Sequence, residues 1–414
     1  MSGPATQPKT GAVTRGEQML ALRKRRMAAS HPFLRGGFRP FFLGAAGWAV
    51  TAILLWLGTL AGLFALPTAF DPVAWHRHEM LFGFVGAAVS GFLLTAIPNW
   101  TGRLPIAGKP LLGLFGLWAV ARLAVLFSAN LGFWPAAVAD IGFFIALAML
   151  AAREVLASKN RNLPLVVLVL LFGLADAADY GASAGVLPAD TGWRAAIALV
   201  VIMISVIGGR IIPSFTRNWL SRRGTGGKLP EQPQRLDLLV IAGTAIALLF
   251  WLVFASRQLT GAMLIIAAAA QLLRLSRWGG IHTSSDPLVL VLHLGYAWIP
   301  LGLLLLGLSV AGFDIPQTAG VHALTAGAMA TMILAVMTRA TLGHTGRELR
   351  ASGLTAIAYA CATCGAVVRV VAALGVGSYA VMLDAAGVLW GAAFLLFIVG
   401  YAPILWRPRL GERA

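Results

Sequence analysis

A chain of 414 residues that is 59% hydrophobic and only 11% charged is not an ordinary soluble domain, which carries about 25% charged residues. It reads as an all-α integral membrane protein. Its two cysteines, Cys361 and Cys364, exclude a disulfide framework, and its net charge of +17 excludes a nucleic-acid role once the cations are placed along the chain.

Residues 1–40 are polar and basic, with Arg23-Lys24-Arg25-Arg26 at their centre and no apolar core of the kind that precedes signal cleavage. They are expected to form a cytoplasmic arm resting on anionic headgroups, or a tail that only sets orientation. Apolar runs of about 20 residues mark membrane spans. They fall near 41–66, 78–98, 110–127, 132–152, 164–184, 194–212, 237–255, 259–275, 287–309, 318–340, 352–374 and 379–405. The domain plan is thus the arm 1–40, a twelve-helix membrane domain 41–405 and a short cytoplasmic tail 406–414. Between the spans, 27 of 30 Lys and Arg residues fall in the arm, the tail and the loops after even-numbered spans. The positive-inside rule makes that side cytoplasmic, with both termini on it. The basic charge is therefore topology.

Spans two and ten overlay. His78–Arg103 and His322–Arg347 have one length, share Gly83 and Gly327, end Thr-Gly-Arg, and agree at six of 26 positions. Span six shares part of that tail, Ile212-Pro213 with Phe215-Thr216 against Ile97-Pro98 with Trp100-Thr101. The spacing suggests repeated four-helix units. Resemblance among Gly- and Ala-rich membrane helices in general is the alternative.

Histidines carry the chemistry. His31 lies in the arm and His282 in a loop, but His76, His78, His293, His322 and His344 lie within or at the ends of apolar stretches. An imidazole beside hydrocarbon normally has a partner. His76, His78 and His322 fall at the outer ends of spans two and ten, with Glu79 adjacent. That set suits a metal or haem iron; hydrogen bonds to loop carbonyls are the equal alternative. His76 and His78 are two apart and do not share a helix face, so one is expected to ligate and the other to orient or cap. His293 is the most deeply placed, with Gly295 leaving room for a flat macrocycle. His344 is a second candidate ligand, or a helix C-terminal histidine favoured by the dipole.

Among ionisable residues within spans, Asp140, Asp176, Asp179, Asp384, Arg122 and Arg369 call for partners, and Arg122 with Asp140 is a plausible structural pair. Arg210 and Arg217 flank a helix end broken at Pro213. With Arg347, Arg103 and Arg339 they are candidates to clamp haem propionates, or are ordinary topology anchors. Cys361 and Cys364 read as small packing residues.

The segments Trp75-His-Arg-His-Glu-Met-Leu-Phe-Gly-Phe, Ala96-Ile-Pro-Asn-Trp-Thr-Gly-Arg, Gly208-Gly-Arg-Ile-Ile-Pro-Ser-Phe-Thr-Arg-Asn, His293-Leu-Gly-Tyr-Ala-Trp, His322-Ala-Leu-Thr-Ala-Gly-Ala-Met and Arg339-Ala-Thr-Leu-Gly-His-Thr-Gly-Arg together resemble the NnrS family, from about Pro32 to the last span. The resemblance implies a twelve-span bacterial inner-membrane protein carrying haem and copper, linked to nitric oxide metabolism in denitrifiers and to nitrosative stress. It makes His76, His78, His293, His322 and His344 the candidate ligands of a non-covalent haem b and of copper or a second non-haem metal. Arg77 stands where the family more usually has Ala. Asp176 and Asp179 stand where it often has Asn or His.

Three functions remain open on the sequence. One is a haem enzyme reducing nitric oxide, with Glu79 as proton donor and an external quinol or cytochrome as electron donor. Another is a carrier or sensor that binds nitric oxide, haem or copper without turnover. The third is a twelve-span secondary transporter.

Overall fold

The computed structural model describes residues 28–223, 229–230, 234–254 and 257–412, together with 17, 18, 21, 22 and 25. Most of the basic arm, including Arg23, Lys24 and Arg26, lies outside the described residues. Among the described residues there is no strand. Twelve helices among the described residues are long and apolar enough to cross a membrane. They are α1 (Phe38–Leu60), α2 (Pro72–Thr101), α3 (Lys109–Leu126), α4 (Phe133–Ala157), α5 (Leu163–Ser183) and α6 (Thr191–Arg223), followed by α7 (Arg235–Val253), α8 (Gln258–Ser276), α9 (Pro287–Val310), α10 (Gln317–His344), α11 (Gly353–Ala373) and α12 (Tyr379–Trp406).

The helices are not equally enclosed. In their apolar windows α2 and α9 are 72% buried and α10 67%, against 33% for α7 and 39% for α1, α3, α8 and α12. The first group forms the centre. The outer helices turn residues such as Leu54, Val138, Met149, Leu238 and Ile266 to the outside, where lipid replaces water as the apolar solvent. Each helix packs on its neighbour in sequence in most cases, and α12 packs on α1, closing the bundle. The closure has polar fasteners. Arg39 donates to the carbonyls of Leu405 and Arg407 at 2.7 Å each, Arg35 pairs with Glu412 at 3.2 Å, and Phe33 stacks on Trp406 at 4.4 Å. The first and last spans therefore end at one face of the bundle, the termini end.

The aligned stretches of α2 and α10 share an unusual backbone. In α2 a π-helical segment occupies Glu79–Val85, starting one residue after His78. In α10 a second occupies Ala323–Met329, starting one residue after His322. A π segment adds a residue to the turn, weakens the hydrogen-bond ladder and shifts the side chains ahead of it around the axis. Gly83 and Gly327 sit inside these segments against aromatic rings, Gly83 beside Trp48 and Gly327 beside Trp298, and a Cβ on Gly327 would come within 2.5 Å of the Trp298 ring. The shared Thr-Gly-Arg tails also have a backbone reason. Gly102 and Gly346 take φ of 66° and 73°, the left-handed conformation that stops a helix at low cost only for glycine.

Helix starts follow capping chemistry. Asp71 accepts from the amides of Val73 and Ala74 ahead of Pro72, and Asp286 accepts from Leu288 ahead of Pro287. One expectation is corrected here. α6 is not broken at Pro213 but runs on to Arg223. Pro213 removes one backbone donor without ending the helix.

Candidate functional site

At the end of the bundle away from the termini, α1, α2, α6, α10, α11 and α12 enclose a cavity of about 510 Å³. That is within the roughly 300–1,000 Å³ of sites for cofactor-sized ligands. Its walls are apolar and aromatic, with Trp56, Trp193 and Trp390 among them. Its imidazole and guanidinium groups are four, His76, His322, Arg77 and Arg369, and Gln317, Thr318, Thr325 and Tyr379 line it as well. The His322 Nδ1 lies 2.8 Å from the Thr318 carbonyl. A carbonyl only accepts, so Nδ1 carries the proton and Nε2 of the neutral ring keeps its lone pair. The His76 ring is stacked on Trp56, 4.5 Å between centroids and 13° between planes, which fixes its plane. Its Nδ1 is buried with no hydrogen-bond partner. Arg77 Nε and Arg369 Nη1 are buried without partners as well, while the guanidinium groups lie against Trp193 and Tyr379 at 5.3 and 5.8 Å. Unused donors and an unused imidazole nitrogen around one cavity are expensive unless a ligand meets them.

Behind this wall lies a second group. His78 is fully buried. Two residues along a helix turn the side chain by about 200°, so His78 faces away from His76 and from the cavity. Its Nε2 is 2.9 Å from Asp140 Oδ2 and 3.7 Å from Asp176 Oδ1, and its Nδ1 is 3.0 Å from Asp179 Oδ2. Arg122 forms a close ion pair with Asp140 and bonds both oxygens of Glu79 at 2.8 and 2.9 Å. Trp48 Nε1 donates to Glu79 at 2.5 Å. Phe70, Phe82 and Tyr180 surround the His78 ring at 5.1 Å each. The expected Arg122–Asp140 pair is thus present. Asp176 and Asp179, one helical turn apart on α5, are brought to His78 by the packing of α5 against α4 and α2.

The structure divides the sequence candidates. His76 and His322 line the cavity and His78 does not, which corrects the grouping of the three imidazoles at one site. Glu79, expected as a proton donor, has its oxygens taken up by Arg122 and Trp48 and does not line the cavity. His293 and His344 lie toward the termini end. There His293 Nε2 bonds Thr216 at 2.8 Å while its buried Nδ1 has no partner, and the His344 ring packs 5.5 Å from Phe38. Arg210 bonds Asn162 at 3.2 Å, Arg347 reaches the Thr345 carbonyl at 3.5 Å, and Arg217 lies on the last turns of α6. None of these five lines the cavity. The arginines that do, Arg77 and Arg369, were not read as clamps. The available signal was a lone cation within span eleven and a cation between two histidines.

Twelve membrane-spanning helices around a cavity lined by histidine and arginine define a multi-pass membrane protein with a site suited to a metal or a metal-bearing cofactor. The NnrS family profile, described as NnrS protein, matches residues 32–409, nearly the whole chain. The chain belongs to the NnrS family, membrane proteins linked to the nitric oxide response. No curated protein matches it.

Proposed function

We propose that this chain is a haem-carrying protein of the bacterial inner membrane that binds nitric oxide and reduces two molecules of it to nitrous oxide and water with two external electrons and two protons. The observation that carries the reading is the cavity with two available imidazoles and two arginines holding unused donors. These residues fit a haem: neutral imidazole is a common iron ligand, guanidinium groups take carboxylates, and the remaining wall is apolar. His76 and His322 would hold the iron, and Arg77 and Arg369 the propionates. When bound, haem supplies the iron centre for nitric oxide and electron transfer.

The chain's own residues do the rest. The Thr318 carbonyl and the Trp56 ring orient the two imidazoles. The tryptophans and the helices behind them keep bulk water out of the cavity, while a small apolar gas reaches it through lipid. Glu79 we assign to holding Arg122 rather than to proton donation, since its oxygens face away. The electron donor is a quinol or cytochrome.

The test is an absorption spectrum of the detergent-purified protein as isolated, after dithionite and after nitric oxide. A Soret band shifting at both steps is expected. His76→Ala and His322→Ala should each bring haem to background, whereas His282→Ala, on an exposed loop, should keep it. Full haem content in both cavity variants would remove this site. Nitric oxide consumption with a reductant then separates turnover from binding alone.

A further inference from the structure

We propose that the buried cluster on the opposite face of α2 binds a divalent first-row metal ion through His78 Nε2, Asp140 Oδ2 and Asp176 Oδ1, with Asp179 as the residue that positions His78. The inference stands apart from the haem reading, since it uses none of the cavity residues.

Three helices supply the ligands: α2 gives His78, α4 gives Asp140 and α5 gives Asp176. All three side chains are fully buried, and one ligand atom from each lies within 4.8 Å of the others. A tetrahedral ion with bonds near 2.1 Å separates its ligand atoms by about 3.4 Å. The observed separations from Nε2, 2.9 and 3.7 Å, bracket that value, so small side-chain shifts suffice.

Asp176 is the second, independent observation. Both of its oxygens are buried, and neither has a hydrogen-bond partner. A carboxyl group in that state needs a closer cation than the His78 ring at 3.7 Å, or a proton of its own. The cluster is short of cations. Glu79, Asp140, Asp176 and Asp179 are four carboxylates, and Arg122 is the one guanidinium among the described residues that pairs with any of them. With all four ionised and His78 carrying a proton on each nitrogen the excess is two negative charges, and a divalent ion in place of the Nε2 proton reduces it to one.

Asp179 explains which imidazole nitrogen is offered. Its carboxylate accepts from Nδ1–H at 3.0 Å, while Nε2–H donates to Asp140 at 2.9 Å, so Nε2 is the nitrogen at which an ion would replace a proton between His78, Asp140 and Asp176. A carboxylate behind a ligating histidine fixes the tautomer and raises the basicity of the ring. Arg122 does the corresponding work on the other oxygen of Asp140, and Glu79 with Trp48 holds Arg122. The donor set is two carboxylate oxygens and one imidazole, without sulfur. That set favours Mn²⁺, Fe²⁺ or Zn²⁺ over Cu⁺, which prefers thiolate and thioether.

The experiment uses full-length protein, stripped with a chelator and titrated with Mn²⁺, with free Mn²⁺ read by electron paramagnetic resonance and total metal by mass spectrometry. One Mn²⁺ per chain, displaced by Zn²⁺, is expected. Asp176→Asn should lower affinity at least 100-fold. Asp179→Asn should lower it about 10–100-fold and change the line shape of the bound ion. In both variants haem content and the Soret band should match the wild type, which separates loss of this site from misfolding and from failure of the haem assignment. Absence of stoichiometric Mn²⁺ or Zn²⁺ in the wild-type protein would overturn the proposal; it would mean that protons rather than a metal offset the carboxylates. Undiminished binding in Asp176→Asn would overturn it equally. Should that variant not fold, His78→Gln is the second ligand variant, and the wild-type stoichiometry decides alone.

Discussion

Arg122 is the residue on which the buried cluster depends. It is 1% exposed and touches Glu79 and Asp140, side chains of two different helices. Removing one member of a buried ion pair leaves its partners uncompensated, a loss of about 3–5 kcal/mol. Arg122→Leu should therefore lower the thermal midpoint in detergent by more than any surface substitution, and Arg122→Lys should recover part of the loss, since it keeps the charge but not the fork. At this scale the sequence was informative where charge alone decides. Arg122 and Asp140 are lone charges in adjacent spans, and a charge in a membrane seeks its opposite. The two-residue spacing of His76 and His78 likewise foretold opposite faces. What could not be read was the rotation of each helix about its axis. That rotation sends Asp176 and Asp179 to His78, and Arg369 to the cavity rather than to a loop.

Single helices set the next level of the argument. The π segments after His78 and His322 place each histidine at the start of a widened turn, and the helix resumes ordinary geometry at Gly86 and at Ala330. Deleting one residue from Glu79–Val85 should convert that stretch to α-helix and turn the histidines about 100° relative to the rest of α2. Loss of haem with retained membrane insertion, read by spectrum and by fractionation, is the expected outcome. The matched tails offer a milder test. Gly102→Ala adds a methyl group into open space but keeps a left-handed φ, so it should cost about 1 kcal/mol of stability through backbone strain alone. Hydropathy located all twelve spans, with ends within about six residues except for span six, which runs eleven residues past the expected end, and the Thr-Gly-Arg motif was visible as a shared tail but not as a stop. The π segments were not visible, because neither proline nor any capping signal marks them. Pro213 misled, since proline in a long membrane helix bends it more often than it ends it.

The whole molecule is a ring of spans closed where α12 meets α1. A fluorescent protein fused after Ala414 should be bright if the termini face the cytoplasm, as the distribution of cations requires, because such reporters mature there and not after export. An alkaline phosphatase fusion at the same point should be inactive. The opposite pattern would invert the positions of the cavity and the cluster with respect to the cell. The count of twelve spans was legible from hydropathy alone, since each crossing needs its own run of apolar residues. Which spans become central was not, because buried and lipid-facing helices are both apolar. The closure has a consequence for the order of events in the cell. The cavity wall is drawn from α1 and α2 at the beginning of the chain and from α10, α11 and α12 at its end. While the ribosome is still adding the last two spans, half of the pocket does not exist, and His76 waits beside an open flank. Cofactor insertion must therefore follow release of the finished chain. If the cavity takes the haem proposed for it, a cell short of haem would accumulate fully inserted, colourless protein that later supply can still convert.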